Sequence, residues 1–234
     1  MPIRANALAV MAKAPIAGLV KTRLAPPFTL EQAAEFYRAL LIDQLEHLTA
    51  LRIADLYVAF TPGEASALIE SVMPAGYQCF PQHGDDLGER MNCVFAELAR
   101  RGHRNVVLIG SDLPPVPLET LHDAFAQLSA DHHRVVLGPS RDGGYYLVGM
   151  NQPVPQIFSG MTWSHERVLA RTSEKLSHLG VDFRLLPEWF DIDSVEDIVR
   201  LQAIPDPVVR AAMKRSVVCL ERVTVFAGSD RPVR

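Results

Sequence analysis

The sequence predicts an α/β fold, a three-layer α/β/α domain around a mostly parallel sheet. Three observations carry this expectation. Short apolar runs alternate with helical patterns for most of the chain, as in layered α/β domains. Several runs are continuously apolar, as expected of strands covered on both faces. Loops rich in Gly, Pro and charge follow several of those runs, where α/β sheets place their ligands.

The elements follow in order. Strands are predicted at Leu8–Met11, Ala54–Phe60, Gln78–Phe80, Val106–Ile109, Val135–Leu137, Tyr145–Gly149 and Phe183–Leu186. The first helix opens at Thr29-Leu-Glu-Gln32, where Thr29 can accept from a first-turn amide while Gln32 reaches back. Its stripe of Ala33, Phe36, Leu40, Leu41, Gln44, Leu45 and Leu48 has helical spacing and reads as core. A second helix is expected from Leu87 to Arg101, and a third after Pro117, a residue suited to a helix start. A fourth runs from Ser164 to Leu176. A short fifth, Ser194 to Leu201, carries a Ser cap and acidic residues in its first turn. Residues 1–204 read as one domain. Pro205-Asp-Pro207 breaks the pattern, so 205–234 is expected to be a helical extension and tail, frayed from Phe226.

Composition excludes several function classes. The chain has 234 residues, 48% hydrophobic and 21% charged, with a net charge of −4. This suits a soluble globular protein and disfavours nucleic acid as a partner, which calls for a broadly basic face. No apolar run approaches the ~18 residues that span a bilayer. Cys79, Cys93 and Cys219 lack CxxC spacing, so free thiols in a reducing cytoplasm are expected. The eight His residues show no paired-ligand spacing, and His132-His133 reads as a solvated loop.

Against that acidic background, residues 1–30 hold Arg4, Lys13, Lys21 and Arg23 and no Asp or Glu. The loop Lys13-Ala-Pro-Ile-Ala-Gly-Leu-Val-Lys-Thr-Arg23 follows the first strand. A basic loop there points to a phosphate, with Gly18 letting the backbone approach and Lys13, Lys21 and Arg23 neutralising charge. The other reading is a solvated turn, and on the phosphate reading Lys21 is expected to be dispensable for stability.

Two acidic segments complement the loop. Asp112, in Gly110-Ser-Asp-Leu-Pro114, suits a hard cation beside a diphosphate, or else caps a turn. Asp191-Ile-Asp193 can turn both carboxylates to one side of an extended segment. Asp193 is the second candidate ligand for Mg²⁺ or Mn²⁺, and helix capping is its alternative. In Arg141-Asp-Gly-Gly-Tyr-Tyr146, Asp142 can accept from hydroxyls and Gly143 permits a close approach, although Asp-Gly-Gly also marks an ordinary turn. In Gly84-Asp-Asp-Leu-Gly-Glu-Arg-Met91 an Asp can cap the helix, while Gly88 and Arg90 can reach a nucleotide. No G-x-S-x-G, P-loop or dinucleotide fingerprint is present.

The order of these motifs resembles the DUF2064 family of glycosyltransferase-A-like proteins, within the nucleotide-diphospho-sugar transferase superfamily. The resemblance spans residues 6 to about 202. It rests on residues 13–24, 86–91, 110–114, 138–147, Trp163-Ser164 and 191–197. The family is also similar to phospholactate guanylyltransferase and to molybdenum-cofactor guanylyltransferases, although this chain has Lys-Ala-Pro in place of their Gly-rich loop.

The resemblance implies a Rossmann-like three-layer α/β/α fold with a mostly parallel mixed sheet, of the glycosyltransferase-A type, and a metal-bound nucleotide diphosphate. Lys13, Lys21, Thr22 and Arg23 would lie near phosphate, with Gly88, Asp142 and Gly143 near base or sugar. Asp112 and Asp193 would hold Mg²⁺ or Mn²⁺.

The function expected is metal-dependent transfer from a nucleotide-activated donor, first a glycosyltransferase using a nucleotide sugar. The alternatives are a nucleotidyltransferase joining an NTP to a phosphorylated small molecule, and a non-catalytic nucleotide-binding protein. Lys21 and Arg23 would stabilise charge on the leaving diphosphate. Asp142 and Asp191 are the candidate bases for a small-molecule acceptor.

Overall fold

The computed structural model describes residues 4–130, 133–163 and 165–228, so residues 1–3, Asp131, His132, Ser164 and residues 229–234 lie outside the description. Seven strands form one sheet: β1 (Asn6–Lys13), β2 (Asp55–Thr61), β3 (Tyr77–Pro81), β4 (Asn105–Gly110), β5 (Arg134–Pro139), β6 (Tyr145–Met150) and β7 (Asp182–Leu185). Each overlaps a predicted apolar run. Their order is β3-β2-β1-β4-β6-β5-β7. Only β6 is antiparallel to its neighbours, β4 and β5. The mostly parallel sheet is therefore as the sequence predicts.

Helices α1 (Leu30–Leu48), α2 (Ser66–Glu70), α3 (Leu87–Arg100), α4 (Leu118–Ala130) and α5 (Val168–His178) connect these strands. Alternation within β1 divides the core. Leu8, Val10 and Ala12 pack with Leu41 and Leu45 of α1, Ile69 of α2 and Phe125 of α4. Ala7 and Ala9 face Met91, Val94 and Phe95 of α3 and Leu176 of α5. Each fully buried Leu or Phe contributes about 1.5–3 kcal/mol, so these two layers fix the register of the sheet.

The predicted capping box at Thr29 forms, with Thr29 Oγ1 accepting from the Gln32 amide at 3.2 Å. The fourth predicted helix begins later than expected. Its first residue is Val168, whose amide donates to the His165 carbonyl in a turn before the helix. The five-residue α2 lacks a stripe long enough to read from sequence.

Helices α6 (Val195–Gln202), α7 (Pro207–Ala212) and α8 (Lys214–Gly228) complete the fold. Of the tail expected from Phe226, residues 226–228 belong to α8 and the remainder lies outside the described residues. Leu201, Val209, Met213 and Leu220 form a third core with Phe36 and Leu40, on a side of α1 that the sheet does not use. Asp43 of α1, 1% exposed, anchors α8 by accepting from the backbone amides of Arg215 and Ser216 and from Ser216 Oγ.

Strand order reverses between β1 and β4, so the loops leaving their carboxyl ends flank one crevice. Among the described residues, no helix is long and apolar enough to cross a membrane.

Candidate active site

The loop after β1 reaches this crevice through Lys21, which takes a left-handed backbone conformation at φ 49°. From there its side chain runs inward, and Nζ lies 3.0 Å from Asp112 Oδ2 and 3.0 Å from Asp193 Oδ1. Both aspartates are about half exposed, whereas the lysine side chain is 2% exposed. Lys21 is a buried cation that joins the two candidate metal ligands.

Backbone pairing makes this meeting possible. The Ile192 amide donates to the Asp112 carbonyl at 2.9 Å, and Trp189 Nε1 donates to the Pro114 carbonyl at 3.1 Å. Segment 189–193 is thereby laced to the loop after β4. Ser194, not Asp193, caps α6, and Asp197 completes that capping box. The Asp193 carboxylate is thus free to face the crevice. Tyr37 steadies the other side. Its hydroxyl bonds to the Lys13 carbonyl at 2.9 Å and to Ser111 Oγ at 2.8 Å, tying the ends of β1 and β4 together.

A cleft of about 650 Å³ results, lined by Lys13, Lys21, Thr22 and Arg23 on the cationic loop and by Asp112, Asp142, Asp191 and Asp193. Leu19, Leu87, His165 and Glu166 also line it. Three of the lining side chains are cationic and five are carboxylic acids, so negative charge is in surplus. Burial pushes the Asp191 carboxyl up to about 7, reinforced by Asp142, Asp112 and Asp193 and opposed by Lys21. Its only hydrogen bond among the described residues comes from Ser140 Oγ at 3.3 Å. Burial also works against charge on Lys21 and Asp112. Their attraction outweighs it, holding the ammonium above and the carboxyl below their ordinary values.

The donor chemistry fits a hard divalent cation in one particular way. The available ligands are carboxylate oxygens, which suit Mg²⁺ or Mn²⁺. Among the described residues, no three His, Cys, Asp or Glu side chains are grouped so as to hold a metal. A cation at Asp112 and Asp193 would thus need oxygens from a bound phosphate or water as well.

Several predicted residues fall outside the cleft lining. Gly88 is buried in α3, where a Cβ would meet the Trp163 ring at 2.8 Å, so its missing side chain serves helix packing. Arg90 Nε donates to the Gly84 carbonyl at 3.0 Å, and Asp86 caps α3. Gly18 (φ 81°) forms the turn before Leu19. Gly143 (φ 86°) lets its turn press against the backbone of Glu166, which any Cβ would strike. Thr22 and Asp142 line the cleft as expected, while no motif in the chain singles out His165 or Glu166.

A Rossmann-like sheet with cations and carboxylates at its switch point defines a class, the fold of transferases that handle nucleotide-activated groups. Residues 44–165 match the model of the family described as "Uncharacterized protein conserved in bacteria (DUF2064)", and the chain belongs to that family. A protein of Desulfovibrio desulfuricans G20, provisionally named a nucleotide-diphospho-sugar transferase, is 29% identical with a TM-score of 0.81. That match covers 94% of this chain and 99% of the other. A 4-diphosphocytidyl-2C-methyl-D-erythritol synthase is 14% identical (TM-score 0.56, 88% and 100% covered). A CMP:2-keto-3-deoxy-manno-octonic acid synthetase solved with CTP is 13% identical (TM-score 0.54, 85% and 97% covered). At those two identities the likeness is one of fold. The chain thus shares the fold of nucleotide-diphospho-sugar transferases and nucleotidyltransferases.

Proposed function

We propose that the protein is a Mg²⁺- or Mn²⁺-dependent transferase that takes a nucleotide diphospho-sugar as donor and passes its glycosyl group to a small-molecule acceptor. The carrying observation is the charge balance of the cleft. A diphosphate brought to five carboxylic acids and three cations is repelled unless a divalent cation accompanies it. Asp112 and Asp193 would hold that cation with phosphate oxygens, and its chemistry there would be Lewis-acid stabilisation of the departing diphosphate.

The protein's own groups would do the rest. Lys21 bridges Asp112 and Asp193 and so holds the two carboxylates at a fixed spacing. Arg23, 77% exposed, and Lys13 at the end of β1 would neutralise phosphate oxygens as the donor bond lengthens. Asp142 has one oxygen committed to the Gly144 amide and would take the acceptor hydroxyl proton on the other. Lys21 is engaged by both aspartates and Arg23 lies 3.7 Å from Asp193, so the loop has little cationic charge left for phosphate. That supply favours a diphosphate over the triphosphate that nucleotidyl transfer requires.

The test is calorimetric titration of UDP-glucose and GTP with Mn²⁺ or with EDTA, followed by product analysis. Binding that requires Mn²⁺, falls about tenfold or more in Asp112→Asn, and leads to release of UDP supports the proposal. Pyrophosphate release from GTP would favour nucleotidyl transfer, and binding without turnover would favour a nucleotide-binding protein. Equal affinity in EDTA would overturn metal dependence.

A further inference from the structure

The wall of the cleft formed by the β5–β6 turn and the segment before α5 is a single clamped unit. The Leu169 amide donates to the Gly143 carbonyl at 2.9 Å, and Gly143 lies directly against the Glu166 backbone. Asp142, His165 and Glu166 are therefore held beside one another, and all three line the cleft.

His165 has a defined polarity within this wall. The Arg167 amide donates to His165 Nδ1 at 3.0 Å, so Nδ1 carries the lone pair and the ring proton sits on Nε2. His165 thus offers one N–H donor, and Nε2 has no partner among the described residues. Asp142 spends Oδ1 on the Gly144 amide at 2.9 Å, leaving Oδ2 as an acceptor. Glu166 is exposed and has no ion-pair or hydrogen-bond partner among the described residues.

Two carboxylates and one fixed N–H complement adjacent hydroxyls, whose two O–H groups donate and whose oxygen accepts. The same trio disfavours a phosphate, which would meet two like charges. We propose that Asp142, His165 and Glu166 form a hydroxyl-reading wall that seats a polyhydroxylated group, either the donor sugar or a polyol acceptor. The assignment rests on the transferase reading of the same cleft and adds its substrate class. His165 acts in it as a hydrogen-bond donor, not as a base.

Geometry supplies a discriminating pair of variants. In His165→Gln the side-chain amide N–H can reach the place of Nε2–H, whereas in His165→Asn it falls at the place of Nδ1 and the donor is lost. We would measure affinities of UDP-glucose, UDP and glucose 1-phosphate in Mn²⁺ for the wild type, both variants and Glu166→Ala. Thermal midpoints would verify folding.

The expected result is that His165→Asn and Glu166→Ala each weaken a sugar-bearing ligand about fivefold, the worth of one such hydrogen bond. UDP affinity stays unchanged, and His165→Gln remains close to wild type. Loss confined to UDP-glucose locates the donor sugar at the wall. Loss confined to glucose 1-phosphate locates the acceptor there.

Equal effects on UDP and UDP-glucose, identical behaviour of the Gln and Asn variants, or no effect on any sugar-bearing ligand would overturn the wall. A wild type that binds neither UDP nor UDP-glucose would instead overturn the transferase reading. Glucose 1-phosphate would then decide the wall alone, with its absence of His165-dependent binding counting against it.

Discussion

Two carboxyl groups removed from bulk water in this molecule have opposite surroundings. Asp43, under the start of α8, accepts from two backbone amides and a serine hydroxyl, with Arg215 Nη1 at 3.5 Å. Asp191, in the cleft, has one hydrogen bond from Ser140 and three neighbouring carboxylates. The first is a satisfied anion that attaches a helix. The second is under-satisfied, as expected where a site keeps charge in reserve for a ligand. Satisfaction of a buried charge, more than burial itself, separates the scaffold from the site.

Substitutions can break or sharpen this contrast. The largest effect is expected at Asp43. Asp43→Ala strands the α8 amides and should cost about 3–5 kcal/mol in urea unfolding, with nucleotide affinity of the folded fraction unchanged. A loss below about 1 kcal/mol would mean that α8 is held by its apolar face alone.

Next comes Lys21→Met, which leaves Asp112 and Asp193 facing each other without their shared cation. A loss of about 2 kcal/mol is expected, and added Mn²⁺ should restore more stability to this variant than to the wild type in the same assay.

Asp191→Asn should have the reverse sign and stabilise the fold by about 1–3 kcal/mol at pH 8 in EDTA. The folded-state value of about 7 lies above the ordinary 3.8. The wild-type contribution is therefore complete below the lower value and is lost as pH rises to the upper one. The advantage of Asn should accordingly be small near pH 4 and grow until pH is above about 7, as paired unfolding curves would reveal.

The smallest effect is expected at Arg141→Ala. Its pair with Glu188 at 3.1 Å is exposed on both sides, and the change in unfolding free energy should stay within about 0.5 kcal/mol.

Local chemistry made much of this legible in the chain. The seven apolar runs, the capping box at Thr29 and the Ser194 cap depend on neighbours within a few residues, and all of them form. Asp112 and Asp193 were legible as a candidate pair because each follows an apolar segment near a turn. The burial of Lys21 was not, since it depends on partners distant in sequence. Gly88 and Gly143 carry glycine for chain packing, which sequence cannot separate from ligand approach. Tyr37 and Asp43 were concealed within a stripe that reads as core. A polar residue interrupting such a stripe was the available signal.

The left-handed Lys21 closes a contact with Asp193 across 172 positions of sequence. During synthesis, the opening loop is made long before the aspartate that completes its ion pairing. A nascent chain can lay down its first four parallel strands while this lysine still lacks half its counter-charge. Any ligand that needs the finished cleft must wait until nearly the whole polypeptide has emerged.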